Sequence, residues 1–358
     1  MKKSNRRNFV RTSLLAGAGL GLMNKVSSVY GEGMFRPILS EGAEPGKRVG
    51  IIGLDTSHVP AITGNLNNPK AGSDWHGYRV VAAYPTNGSA DMKESIGRLA
   101  GFTEKVKKDG VEIVTSIDEL LNKVDVVFLE SVDGRRHLSE ALPVLKAGKR
   151  MFIDKPIAAS LADAIVIFDA AKKYNVPIFS ASSLRYLVGM KEVREGKLGK
   201  ILGADSYGSC YIEPHHPDLV YYGIHGVEIL YALMGTGCKS VVRVHVDNTD
   251  MVVGTWNDGR LGSYRGTRNG TGAMGGRVFG EKGIEHLTES PGYEGLWAKV
   301  IEFFDTGILP VSAEETLEEF AFMEAADESK INGNASVELQ TVIDRAKKKA
   351  AEIQSKIS

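Results

Sequence analysis

The sequence predicts a two-part α/β chain. A parallel-sheet domain comes first, and an α+β domain with a large antiparallel sheet follows. The chain has 358 residues, more than one core usually serves, so two domains are expected. From Arg48 to Ser180, short apolar runs alternate with helical stretches, the order of βαβ units. After Ser183 that alternation stops and strand-like segments follow one another, two of them joined by the turn Asn257-Asp258-Gly259.

Charge excludes some partners. Lys plus Arg and Asp plus Glu both number 44, so no basic face is implied and nucleic-acid binding is not expected. Residues 1–30 read as a signal peptide: Lys2, Lys3, Arg6, Arg7 and Arg11 precede an apolar run, Ser13 to Met23, too short to span a bilayer. Arg6-Arg7-Asn8-Phe9-Val10-Arg11 resembles a twin-arginine export signal, which implies a periplasmic or exported protein with no membrane insertion after signal removal. Residues 31–47 read as a linker. Cys210 and Cys238 read as reduced, buried thiols. No metal-ligand spacing such as Cys-x-x-Cys occurs, so no metal is assigned.

Arg48 to Gly53 is an apolar run of the parallel-strand type, followed by the turn Leu54-Asp55-Thr56-Ser57-His58 and a helix start carrying Pro60. Tyr78–Tyr84, Val111–Val114, Asp125–Leu129, Arg150–Ile153 and Val176–Ser180 are the further strands, with helices at Ile117–Leu121, His137–Ala147 and Leu161–Tyr174. Such a series predicts a dinucleotide-binding, Rossmann-type sheet over residues 48–183. In residues 184–335, helices are expected at Met190–Lys197 and Tyr221–Met234, and strands at Ile201–Tyr207, Val241–Val246, Met251–Trp256, Gly262–Thr267 and Gly276–Gly280. Helices near Leu296–Phe304, Ala313–Glu328 and Leu339–Ile357 close the chain, the last forming a C-terminal segment, 336–358.

One stretch organises the rest: Gly148-Lys149-Arg150-Met151-Phe152-Ile153-Asp154-Lys155-Pro156. Pro156 cannot donate to a ladder, so the strand stops and Lys155 stands at its carboxyl end, where open α/β sheets bind ligands. Asp125 to Leu129, His137, Ala147-Gly148-Lys149, Asp154-Lys155-Pro156, Arg185, Gly196-Lys197-Leu198-Gly199 and Gly223-Ile224-His225-Gly226 occur in the order seen in the glucose–fructose oxidoreductase, inositol dehydrogenase and rhizopine-catabolism (Gfo/Idh/MocA) family, which the chain resembles from the linker onward.

The resemblance implies an NAD- or NADP-dependent oxidoreductase acting on a sugar or polyol hydroxyl, assembled as a homodimer or homotetramer. Lys155 and His225 would be catalytic, assisted by Tyr221 and Glu228. On a continuous helix Tyr221, His225 and Glu228 share a face, and Glu228 holds one imidazole nitrogen while the other meets substrate. Histidine suits a base working near neutral pH, and a lysine stabilises alkoxide character. Cofactor contacts are expected at Gly53, Asp55, Thr56, Ser57, His58, Tyr84, Ser131, His137, Asp154 and Lys155. Substrate contacts are expected at Arg185, Glu213, His215, His216 and Trp256. With Asp218, the Glu213–His216 cluster has metal-type donors but matches no defined ligand spacing, so it reads as hydrogen-bonders to a carbohydrate.

Four positions depart from the family's pattern. Members commonly carry Asp where this chain has Tyr221. The fingerprint Gly-x-Gly-x-x-Gly reads Gly53, Asp55, His58, and a carboxylate at the second position is expected to repel a pyrophosphate. The second strand ends at Tyr84 with no acid for a ribose diol. These departures keep two alternatives open: an NAD-retaining glycosidase or metal-assisted lyase on the same scaffold, and a non-catalytic sugar-binding protein.

Overall fold

The computed structural model describes residues 46–70 and 75–357. The signal-peptide reading and nearly all of the linker lie outside them. In the first half the elements are β1 (Arg48–Ile52), α1 (His58–Leu66), β2 (Arg79–Tyr84), α2 (Lys93–Lys108), β3 (Glu112–Ile113), α3 (Ile117–Leu121), β4 (Val126–Leu129), α4 (Gly134–Lys146), β5 (Met151–Ile153), α5 (Leu161–Tyr174) and β6 (Ile178–Phe179). Their strands form one parallel sheet in the order β3-β2-β1-β4-β5-β6. The order reverses between β1 and β4, the point at which such sheets open a crevice at their carboxyl edge. β4 and β5 are buried along their whole length, as strands covered on both faces must be, and this is why they read as unbroken apolar runs.

The second half comprises a 3₁₀ turn at Ser183–Tyr186, α6 (Met190–Arg194), β7 (Ile201–Ser209), α7 (Ile224–Met234), β8 (Cys238–Val246), β9 (Thr249–Trp256), β10 (Leu261–Thr267), β11 (Gly275–Gly280), β12 (Gly283–Leu287), α8 (Glu294–Thr306), α9 (Ala313–Ile331), β13 (Val337–Glu338) and α10 (Leu339–Ile357). Its sheet runs β12-β11-β7-β10-β9-β8-β13. Pairing is antiparallel throughout except for β7 with β10, which run parallel. The expected sheet is thus mostly antiparallel, with one parallel pair.

The two halves share packing. α8 lays Trp297, Phe303 and Phe304 against Phe128, Phe152 and Phe179 of the first sheet, with ring centroids 5.0–6.3 Å apart. Burying rings of this size contributes about 1.5–3 kcal/mol each. Cys210 and Cys238 are buried free thiols. Among the described residues no helix is long and apolar enough to cross a membrane.

Three elements were not expected from sequence: α2, β12 and β13. α2 contains Gly97 and Gly101, with open space beside both, and fully buries only Ser95 and Val106. Its pattern therefore carries little helical signal. The helix expected from Tyr221 begins instead at Ile224, and residues 219–223 form turns.

Candidate active site

The crevice edge is built from the ends of β1, β4 and β5. Gly53 has φ +83°, and a Cβ there would lie 2.4 Å from the Ser131 backbone nitrogen, so only glycine lets the β1 turn and the β4 turn touch. Asp55 follows, fully buried. One of its oxygens accepts from the Ser95 hydroxyl at 2.5 Å and the other from the Val132 N–H at 2.9 Å. The carboxylate therefore bridges the start of α2 and the β4–α4 loop instead of pointing at a ligand. Ser57 caps α1 with no side-chain bond, and Thr56 Oγ1 lies 3.5 Å from the His58 nitrogen.

The β4–α4 loop is pinned on all sides. His137 faces the Ser131 carbonyl at 2.6 Å and the Ile157 carbonyl at 3.2 Å, and Ser131 donates to Glu140 at 2.6 Å. Asp133 accepts from Ser89 at 2.5 Å and from the Arg135 backbone at 2.9 Å. Arg136 reaches back to the Gly88 carbonyl at 2.8 Å. Tyr84 is half-buried at the end of β2, its carbonyl accepting from Gly53 at 2.9 Å. His137 and Ser131 thus hold the loop together, and their side chains are turned to protein partners.

Past Ile52, Leu129 and Ile153 three polar side chains converge: His58, Glu130 and Asp154. Their ligand atoms all lie within 4.8 Å of one another. His58 Nδ1 is 3.0 Å from Asp154 and 3.6 Å from Glu130. Burial lowers the His58 imidazole, but Asp154 and Glu130 outweigh it and lift it to about 9. Burial and the Asp154 charge push Glu130 up to about 8. Glu130 was not expected from sequence, although a carboxylate ending the run Val126–Leu129 at a sheet's carboxyl edge is a detectable signal.

Beside this group stand Lys155 and His225. Burial and the Lys155 charge hold the His225 imidazole well below its usual range, so it is neutral. Its Nδ1 lies 2.7 Å from the Ser182 hydroxyl. Both Glu228 oxygens accept the Ser182 N–H at 2.8 Å. The expected Glu228–imidazole contact is replaced by this relay: Glu228 fixes the Ser182 backbone, and the Ser182 side chain fixes the imidazole. Ser182, unassigned from sequence, is the residue that joins them.

Tyr221 does not share a helical face with His225, because α7 starts after it. Its hydroxyl donates to Glu94 at 2.9 Å and its ring packs on His216. Of the expected substrate residues, Arg185 is 1% exposed and bound to Glu228, Glu315 and Glu319. Trp256 is buried in the second core and donates to the Gly235 carbonyl at 2.9 Å. Neither is available to a sugar. Glu213 accepts from His215 at 2.6 Å, while His216 turns to Asp133 at 3.3 Å. Asp218 joins Arg243 and Lys330, so the Glu213–Asp218 cluster disperses and builds no shared ligand set.

The fold brings Lys155 and His225 together at the carboxyl-edge crevice of a six-stranded parallel sheet. Residues 47–182 match the GFO_IDH_MocA model, the oxidoreductase family with an NAD-binding Rossmann fold. A 108-residue segment is 31% identical to the 1,5-anhydro-D-fructose reductase of Ensifer adhaerens, covering 28% of this chain and 32% of that one. A 152-residue segment is 26% identical to inositol 2-dehydrogenase 3 of Saccharopolyspora erythraea, covering 41% and 39%. The matches thus span about a third to two fifths of these relatives' length. The fold is shared across most of the chain. A probable dehydrogenase from Thermotoga maritima superposes with TM-score 0.67 at 22% identity, over 83% of this chain and 100% of that one. A putative myo-inositol dehydrogenase from Sinorhizobium meliloti 1021 gives TM-score 0.67 at 17% identity, over 82% and 100%.

The residues at the edge do not fit a dinucleotide pyrophosphate as they are folded. Asp55 closes the gap between the β4–α4 loop and α2, and two further buried carboxyl groups, Glu130 and Asp154, stand at the same sheet edge. Residues 47–182 match the model of an NAD-binding family, and the chemistry of the β1–α1 turn departs from its glycine fingerprint.

Proposed function

We propose that this protein is an enzyme that converts a sugar or polyol, with His225 taking a substrate proton and Lys155 stabilising the resulting negative charge. The observation that carries this reading is the neutral, half-buried His225 held by Ser182 beside Lys155. With Nδ1 engaged, Nε2 is the nitrogen left to accept a hydroxyl proton, and the lysine charge favours the alkoxide at the same place.

The family match supports an NAD(P)-dependent oxidoreductase acting on a sugar or polyol hydroxyl. The bridged Asp55 favours a second reading, a lyase in which the same pair moves protons with no dinucleotide. One experiment separates them. The purified chain is given a panel of sugars and polyols with NAD, with NADP and with neither. Reduced nucleotide accumulating with product supports the oxidoreductase; product without nucleotide supports the lyase. Lys155→Met and His225→Asn are each expected to abolish turnover while remaining folded, and full activity in either overturns the assignment.

Two readings about the whole protein accompany this. The basic, glycine-broken amino-terminal run supports export, and recovery of the protein only from the cytoplasmic fraction would sink that. Exposed apolar residues along the second sheet, Leu202, Val244, Val246 and Leu261, support a homodimer or homotetramer, which a monomeric mass in solution would refute.

A further inference from the structure

We propose that His58, Glu130 and Asp154 bind a divalent metal ion at the carboxyl edge of the first sheet. Glu130 is 0% exposed and neither of its oxygens has a hydrogen-bond partner. A fully buried, unpartnered carboxyl group is costly, and in a folded protein it calls for an occupant. His58 Nδ1 is also buried without a hydrogen bond, although Asp154 is only 3.0 Å away. The two groups are close but not aligned as donor and acceptor. Atoms that share a cation have this relationship.

The spacing agrees. Nitrogen and oxygen ligands about 2.0–2.2 Å from a metal lie roughly 3.0–3.6 Å from each other at tetrahedral or octahedral angles. The Nδ1 atom is 3.0 Å from Asp154 and 3.6 Å from Glu130. A metal ion displaces the His58 and Glu130 protons, and the resulting two carboxylates and neutral imidazole carry two negative charges, which a divalent ion neutralises. One nitrogen and two oxygens suit Mn²⁺ or Zn²⁺ better than Ca²⁺. Three protein ligands leave coordination positions for water or a substrate oxygen. Tyr293 and Trp297 pack edge-on against the His58 ring at 4.8 and 6.0 Å, which holds its orientation.

His58 occupies the third fingerprint position, which dinucleotide-binding turns give to glycine, and Glu130 and Asp154 are the first residues past β4 and β5. The metal therefore accounts for a departure that is otherwise unexplained.

The test uses the full chain purified without chelator. Elemental analysis is expected to show about one Mn or Zn per chain. Chelator treatment is expected to lower Tm, with Mn²⁺ or Zn²⁺ restoring it. Mn²⁺ titration followed by EPR gives the affinity directly. Glu130→Gln, close in size and uncharged, is expected to weaken it by at least about 100-fold. Metal-free protein whose Tm and EPR signal do not respond to Mn²⁺ or Zn²⁺ overturns the proposal. So does wild-type affinity in a folded Glu130→Gln, or a tightly bound nucleotide without metal. If Glu130→Gln does not fold, the wild-type titration decides alone.

Discussion

The Asp55 carboxylate accepts the backbone N–H of Val132 at 2.9 Å, and through its second oxygen the hydroxyl of Ser95 at 2.5 Å. One side chain of the β1–α1 turn thereby ties down both segments that flank the crevice. Asp55→Ala leaves two buried donors unpaired and is expected to cost about 2–3 kcal/mol in chemical denaturation. Asp55→Gly restores the fingerprint glycine and is expected to tighten NAD(P) binding at least tenfold over wild type, as read by calorimetric titration. Equal, micromolar binding by both proteins would show that the bridge does not gate the edge.

Ser182 is a positioning residue. Removing its hydroxyl frees the His225 ring without touching the imidazole, the base of the proposed reaction. Ser182→Ala is expected to lower kcat about tenfold with little change in KM, and Ser182→Thr to recover part of the loss. A change confined to KM would move Ser182 to substrate binding.

Arg185 is the cation among three glutamates, Glu228, Glu315 and Glu319, and is itself 1% exposed. Arg185→Met leaves buried carboxylates uncompensated and is expected to destabilise by about 3–5 kcal/mol. A loss below about 1 kcal/mol would mean that these glutamates are protonated in the folded protein.

Asp133 supplies a pH dependence. Burial raises its carboxyl, but the nearby His216 ring and hydrogen bonds from Arg135 and Ser89 outweigh this and hold it well below the usual carboxylate range. A depressed folded pKa gives stability that is fully present above the unfolded value of about 3.9 and is lost as pH falls below it. Wild type is therefore expected to lose more stability than Asp133→Asn between about pH 5 and pH 3. Parallel curves would remove Asp133 as a source of acid sensitivity.

Much of the fold is legible in the chain because its strands are short and apolar and its helices are closed by caps. Leu161–Tyr174 and Leu339–Ile357 are read to the residue. α2 escapes because two glycines and a polar surface erase its periodicity. Lys155 and His225 are singled out in the sequence by strand-end position and motif order. Ser182 is hidden, because a serine past a strand looks like any loop serine until Glu228 and His225 are seen to meet on it.

Local pattern decides what a residue can be: apolar runs must be buried and Pro156 must end a strand. The position of Lys155 at a ligand edge follows from those rules alone. Which polar groups meet is a matter of long-range folding. Asp55 finds Ser95 and Val132, Arg185 finds Glu315 and Glu319, and His58 meets Glu130 and Asp154 only because β1, β4 and β5 lie side by side. Sequence spacing says nothing of such pairs, since the sheet brings together strand ends that are far apart in the chain. The carboxylate expected to point at a phosphate is instead a tie within the protein, and that reversal was decided by tertiary contacts.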